Sequence, residues 1–157
     1  MPISIPRDRR DYREPGLRPE PLERLPHARV VLCNAAALER DFPGLLAEAR
    51  ALPGARDEPL LHRWLLHHAA RISGAQAAQS VVNTPIETRG PAVFGFRPPR
   101  YGRSAVVPTR TGLLDLKGAG VAPGVVPRPV AHADGLLLLG EALEELAYQR
   151  LIASVFE

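Results

Sequence analysis

Lys117 is the residue whose type and position most clearly indicate chemistry in this sequence. It is the only lysine among twenty basic residues, and the other nineteen are arginine. Because the composition favours arginine so strongly, a retained lysine indicates a position that needs a compact ammonium group rather than a planar guanidinium. Lys117 ends an apolar segment and is followed by Gly118 and Gly120. A lysine in this setting is suited to contacting phosphate oxygens.

A phosphate-binding lysine can be held in place by a carboxylate from a neighbouring helix. Three glutamates of the segment that follows compete for this role, Glu141, Glu144 and Glu145. Glu145 lies at the edge of the predicted apolar stripe and is the preferred partner, with Glu141 in reserve one turn earlier. We therefore expect the Lys117 ammonium within about 4 Å of the Glu145 carboxylate. Alternatively, all three form a solvated acidic face near a helix start, where the macrodipole favours them.

A hairpin and a helix are predicted to position these side chains. Residues 103–109 and 111–118 have the pattern of two strands joined by a turn, and Lys117 lies on the face of the second strand opposite its core leucines. A loop rich in glycine and proline covers 118–135. The last segment, 137–156, predicts a helix whose buried stripe comprises positions 139, 143, 146, 147 and 151.

The first half of the chain predicts an arm, a short strand and helices. Residues 1–28 are polar and rich in proline, which predicts a disordered or extended arm. The apolar run 28–33 predicts a buried strand, after which Asn34 can cap a helix by accepting a backbone N–H. Hydrophobic periodicity and breaker residues predict two further helices, at 43–52 and 58–79, and one or two short strands within 80–96.

These elements predict an α+β fold, with helices packed on a small antiparallel sheet that contains 103–107 and 112–117. The length suits one domain, which we place at 29–157. The apolar fraction of 45% and the charged fraction of 24% are ordinary for a globular protein. No apolar run is long enough for a membrane helix, and the amino terminus lacks the apolar core of a secretory signal.

Composition also narrows the classes of partner and of chemistry. The arginines are scattered among acidic residues rather than gathered on one face with aromatics, which argues against nucleic-acid binding. The single cysteine, Cys33, predicts a reducing, cytoplasmic setting, and its apolar surroundings favour a buried small hydrophobe over a nucleophile. His62, His67 and His68 lack the spacing of a zinc pair, and His132 near Asp134 is better explained by a turn, so no metal ligands are assigned.

The segment 101–152 resembles the upper lobe of the selenoprotein-O (SelO) family, kinase-like protein adenylyltransferases that are also described as pseudokinases. The resemblance rests on Gly102-Arg103-Ser104-Ala105, on Leu116-Lys117-Gly118-Ala119-Gly120, and on Asp134-Gly135 followed ten residues later by Glu145. The stretch from Ala28 to Leu46 is also similar to that family's opening strand and helix. The loop after the lysine is a few residues longer here.

The resemblance implies a kinase-like upper lobe that binds ATP and transfers its AMP moiety to hydroxyl side chains of proteins. Lys117 and Glu145 would be the phosphate lysine and its ion-pair partner, the two catalytic positions. Contacts to the nucleotide are implied for Gly102, Arg103, Gly118 and Gly120 as well as Lys117. The expected partners are therefore ATP and a protein substrate.

Two departures from the family limit this expectation. The glycine-rich segment before the first strand of the hairpin is poorer here, with only Gly95 and Gly102 in 94–102. The metal-binding aspartate and asparagine of the family's lower lobe have no counterpart after Glu145, so we expect no turnover from these residues alone, and Mg²⁺ only with a second lobe, supplied for instance by a partner chain. The alternative is a non-catalytic protein-interaction module that retains the lobe fold.

Overall fold

The computed structural model describes residues 18–55, 57–78, 86–98, 102–128 and 135–156. They form an α+β fold with a five-stranded antiparallel sheet, which confirms the predicted class. The strands are β1 (Arg18–Arg24), β2 (Arg71–Ser73), β3 (Arg89–Arg97), β4 (Ser104–Pro108) and β5 (Leu113–Lys117), in the spatial order β2-β1-β3-β4-β5. The helices are α1 (Ala35–Asp41), α2 (Leu45–Ala51), α3 (Leu60–His68), α4 (Gly74–Ala78) and α5 (Leu139–Phe156).

The predicted hairpin is β4 and β5, paired from Ser104↔Lys117 to Pro108↔Leu113. Its turn is closed by Thr109, whose hydroxyl accepts the backbone N–H of Gly112 at 2.9 Å and whose own N–H donates to the Gly112 carbonyl at 2.8 Å. Asn34 caps α1 as expected, with its side-chain oxygen accepting from Ala37 N at 3.2 Å. These predictions are confirmed because each depends on contacts between sequence neighbours.

The core lies between one face of the sheet and the helices α2 and α3. Leu22, Ala105, Val107 and Ala119 are buried together on the sheet. A second buried cluster comprises Leu45, Ala49 and Trp64, and Leu114 of β5 packs against both. The alternation along β5 therefore places Lys117 on the face of the sheet opposite these helices.

Strand β1 corrects the prediction of an arm over 1–28, of which residues 18–28 are described. Leu22 is fully buried, and Glu20 is only 3% exposed because its carboxylate pairs with Arg97. Pro19 and Pro21 fit a strand here because β2 pairs only with Leu22–Arg24, which leaves β1 unpaired on one side at both prolines. The charges and prolines of this segment predicted disorder. The residue that pairs with Glu20 lies 77 residues further on, so the local pattern does not show it.

Two further predictions from the first half are wrong. Residues 28–33 form no strand, and Val31 and Leu32 are each 60% exposed. Strand β1 takes the place between β2 and β3, and among the described residues this apolar run pairs with none of the five strands. The helix expected over 58–79 ends at His68 and is replaced by β2 and α4, because Ile72 and its neighbours pair with β1 instead.

Helix α5 forms where it was predicted, but its apolar stripe is not buried. The exposed fractions of Leu139, Leu143 and Leu151 are 56%, 42% and 61%. Periodicity predicts that a helix has an apolar side, but it does not say whether a neighbouring element covers that side. Among the described residues, no helix is long and apolar enough to cross a membrane.

A polar group lies at the centre of the helical cluster. The Trp64 indole N–H donates to Glu48 Oε2 at 2.8 Å, and His68 Nε2 lies 3.4 Å from Glu48 Oε1. The His68 ring also lies 5.0 Å from the Trp64 ring. Burial lowers the pKa of His68 from 6.5 to about 4, against the attraction of the Glu48 carboxylate and with help from His67 and Arg71. His68 is therefore neutral in the folded chain near pH 7.

This histidine predicts a pH-dependent stability. The unfolded chain protonates His68 near pH 6.5 and the folded chain only near pH 4, so its contribution is complete above pH 6.5 and is lost as the pH falls through this window. At 1.36 kcal/mol per pKa unit the loss approaches about 3 kcal/mol. Urea unfolding between pH 4 and pH 7 measures it, with His68→Gln and the control His62→Gln. Parallel curves for wild type and His68→Gln would contradict the prediction.

Candidate functional site

The predicted pair between Lys117 and Glu145 is present. Lys117 Nζ lies 2.5 Å from Glu145 Oε2 and donates a hydrogen bond to it. The contact joins the end of β5 to the second turn of α5, and both side chains are partly open to solvent, at 45% and 36% exposure. The expected distance of less than 4 Å is confirmed, and Glu145 is the partner rather than Glu141 or Glu144.

A second ion pair holds α5 one turn earlier. Arg103 Nη1 lies 3.3 Å from Glu141 Oε2 and donates to the Leu136 carbonyl at 2.9 Å. Glu141 and Glu145 are four residues apart, so they project from the same side of the helix toward the open end of the hairpin. The Arg103 guanidinium, expected from the resemblance to contact nucleotide, thus has two partners within the protein.

The glycines after Lys117 are required by close packing. Gly118 has φ +76°, and a Cβ there would lie 2.7 Å from the backbone nitrogen of Leu137. Gly120 has φ +94°, and its Cβ would lie 2.5 Å from Gln76 Cβ. Left-handed backbone and lack of space both exclude a side chain at these positions. The structure therefore gives Gly118 and Gly120 a packing role independent of any ligand.

Hydrogen bonds from β2 and α4 hold the backbone of this glycine segment. Ser73 Oγ donates to the Val121 carbonyl at 2.8 Å, and Val121 N donates to Gln76 Oε1 at 3.0 Å. Backbone bonds add to these, from Ser73 N to the Ala119 carbonyl at 2.7 Å and from Gly120 N to the Gly135 carbonyl at 2.9 Å. The side chains of Ser73 and Gln76 are fully buried, so the segment from Ala119 to Val121 is held on several sides.

Arg97 connects this segment to the centre of the sheet. Its Nε lies 2.5 Å from Glu20 Oε2, and its terminal nitrogens donate to the carbonyls of Gly102, Ser104 and Val121 at 3.0, 3.2 and 3.3 Å. Sequence reasoning missed Arg97, Glu20, Ser73 and Gln76. One arginine in a background of nineteen carries no local signal, and the partners are distant in sequence.

A cavity of about 510 Å³ lies at this end of the hairpin. Its described lining is mostly glycine and valine, and Arg128 supplies the positive charge. Gly102, which lines the cavity, is two residues from Ser104, the register partner of Lys117. The full described lining is Gly102, Val121, Gly124, Val125, Val126, Arg128 and Gly135.

The described residues hold no group of three histidine, cysteine or acidic side chains that would suit a metal ion. Asp134 and His132, named in the sequence analysis, lie outside the described residues. Chemically, the site therefore consists of an ammonium held by a carboxylate, a rigid glycine segment and a cavity that one arginine lines. Ammonium and guanidinium groups are donors of the kind that suits an anion.

No family model, curated protein or solved structure matches this chain. The resemblance to the selenoprotein-O lobe stays a prediction from the sequence motifs.

Two glycines of the same loop separate backbone strain from lack of space. Gly120→Ala is expected to destabilise the fold by about 2–4 kcal/mol, since it adds a contact with Gln76 to the left-handed strain. Gly124 has φ +80° but nothing within 4 Å of a Cβ, so Gly124→Ala should cost only about 1 kcal/mol. Denaturant unfolding measures both, and equal losses would contradict the packing role of Gly120.

Proposed function

We propose that this chain is a nucleotide-binding lobe, similar to the upper lobe of selenoprotein-O-like kinase-fold enzymes, in which Lys117 binds ATP phosphates. The observation that supports this best is the contact of 2.5 Å between Lys117 Nζ and Glu145 Oε2. A helix carboxylate that orients a strand lysine leaves the ammonium positioned for phosphate oxygens. The proposal extends to transfer of AMP or a phosphoryl group to a protein hydroxyl when a metal-binding lobe is present.

The geometry around Lys117 suits an anionic ligand. An ammonium has three donors, and the contact with Glu145 uses one of them. The side chain is 45% exposed and lies on the face of the sheet away from α2 and α3, so the other two donors are accessible. The solitary lysine supports the same interpretation, because an ion pair with a purely structural role could use arginine equally well.

The cavity beside Gly102 is large enough for part of a nucleotide. Its volume of about 510 Å³ lies within the usual range for small-molecule sites. Arg128 could meet a phosphate there, as arginine does bidentately in many sites. Bound Mg-ATP would supply the activated phosphate chain, and the residues of this lobe would hold and orient it.

A protein-interaction module that retains this lobe is the second candidate. The exposed apolar residues on α5 favour it, among them Leu139, Leu143 and Leu151. The packing roles of Gly118 and Gly120 favour it too, since their presence does not require a ligand.

Titration calorimetry with a non-hydrolysable ATP analogue tests the first candidate. Wild type should bind, and Lys117→Arg should bind at least about tenfold more weakly despite its charge, because the planar fork cannot take the ammonium's place. Glu145→Gln should also weaken binding, because the lysine loses its anchor. In a thermal scan, Mg-ATP at a hundredfold excess over the dissociation constant should stabilise the wild type by about 2.7 kcal/mol.

Arg50→Lys provides the control, because Arg50 is an exposed arginine of α2. It should leave both binding and thermal stability unchanged. Binding by the wild type that survives both Lys117→Arg and Glu145→Gln would remove Lys117 from the site. A wild type that binds no nucleotide would reject the first candidate in favour of the interaction module.

A further inference from the structure

Arg71 of β2 is a buried arginine without an acidic partner. Its exposed fraction is 6%. Its Nε and Nη2 both donate to one acceptor, the His67 carbonyl, at 3.1 and 2.7 Å. No carboxylate of the described residues lies within ion-pair distance of the guanidinium. In the same sheet, by contrast, the buried Arg97 is neutralised by Glu20.

An uncompensated buried guanidinium is energetically unfavourable. A charge removed from water normally requires an opposite charge or a full set of hydrogen bonds. A guanidinium has five N–H donors, and the contacts of Arg71 are all with a single carbonyl oxygen. Arg24 lies directly across from Arg71 in the sheet and, after burial, lowers its pKa further by repulsion. The fold therefore has an excess of positive potential here.

This arginine lines a cavity of about 460 Å³ that is separate from the one beside Gly102. The two cavities share no described lining residue. The walls of this one combine cationic or titratable side chains with flat apolar ones. The residues that matter are His67, His68, Arg71, Phe94, Phe96 and Pro108.

The other ionisable groups at the cavity leave this positive potential in place. Burial and the charge of Arg71 lower the pKa of His67, and burial lowers the pKa of His68, so both rings are neutral near pH 7. The nearby carboxylate, Glu48, contacts the Trp64 indole, Arg110 N and His68, and it forms no ion pair with Arg71. Among the described lining residues, Arg71 is thus the one that carries a formal charge near pH 7.

We propose that this cavity is a binding site for a small organic anion, with its carboxylate or phosphate on Arg71 and a flat apolar body against Phe94 and Phe96. Arginine matches the planar geometry of both anionic groups. Phe94 is 65% exposed although it lines the cavity, so a ligand body would cover apolar surface that now faces water. This site is independent of nucleotide binding at Lys117.

Phenylacetate and phenyl phosphate are suitable probes, and phenylacetamide is the matched uncharged control. Trp64, the only tryptophan of the chain, provides the signal because its ring lies 5.0 Å from that of His68. We expect one or both anions to change Trp64 fluorescence and to bind at least about tenfold more tightly than the amide, a difference of about 1.4 kcal/mol. Failure of both anions to bind, or binding of the amide with equal affinity, would overturn the proposal.

Substitutions then locate the site. Arg71→Gln should reduce anion affinity at least about tenfold, whereas Arg24→Gln, at the exposed position across the strand pair, should change it much less. Since Arg71→Gln could disturb folding, Phe94→Ser at an exposed position gives a second measure and should weaken the aromatic anions several-fold. Undiminished binding by a folded Arg71→Gln, or by Phe94→Ser, would overturn the proposal. Lys117→Arg should leave this binding unchanged, which separates the site from the nucleotide site.

Discussion

The buried ion pair between Arg97 and Glu20 joins more of this structure than any other single contact described. Glu20 belongs to β1, Arg97 to β3, and the same guanidinium reaches the carbonyls of Gly102, Ser104 and Val121. Two strands, the start of the hairpin and the glycine segment therefore share one charge centre. Breaking a buried pair by removing one partner leaves the other charge unsatisfied, so this contact constrains all of them at once.

Arg97 and two buried polar side chains hold the glycine segment, whereas α5 is attached through other contacts. Ser73 and Gln76 hold Val121 from β2 and α4, in a buried setting where every bond lost has a cost. Helix α5 is held near its start by Lys117–Glu145 and Arg103–Glu141, of which the first is substantially exposed. Exposed pairs contribute about 0.2–1 kcal/mol each, so α5 is the less firmly held part of the site.

Three of the basic side chains of the sheet lie in different electrostatic settings. Arg97 is buried and neutralised by Glu20, and Lys117 is partly exposed and paired with Glu145. Arg71 is buried and bound only to a carbonyl oxygen. Nucleotide binding is proposed at the lysine because its ammonium keeps free donors beside its partner. The organic-anion site is proposed at Arg71 because nothing described there balances the charge.

The sequence by itself determined the local elements: the β4–β5 hairpin, the Asn34 cap and α5. It favoured Glu145 among three glutamates as the partner of Lys117, and the tertiary structure decided that pair. Turn residues, capping side chains and helix spacing act between near neighbours, so their pattern is visible in the residues themselves. Only the tertiary structure decided that 18–24 is an inner strand and that 71–73 forms a strand instead of continuing the predicted helix. It also decided that the apolar stripe of α5 is exposed. Each depends on a partner distant in the chain, as Glu20 depends on Arg97, and local propensity is too weak to determine which distant segments meet.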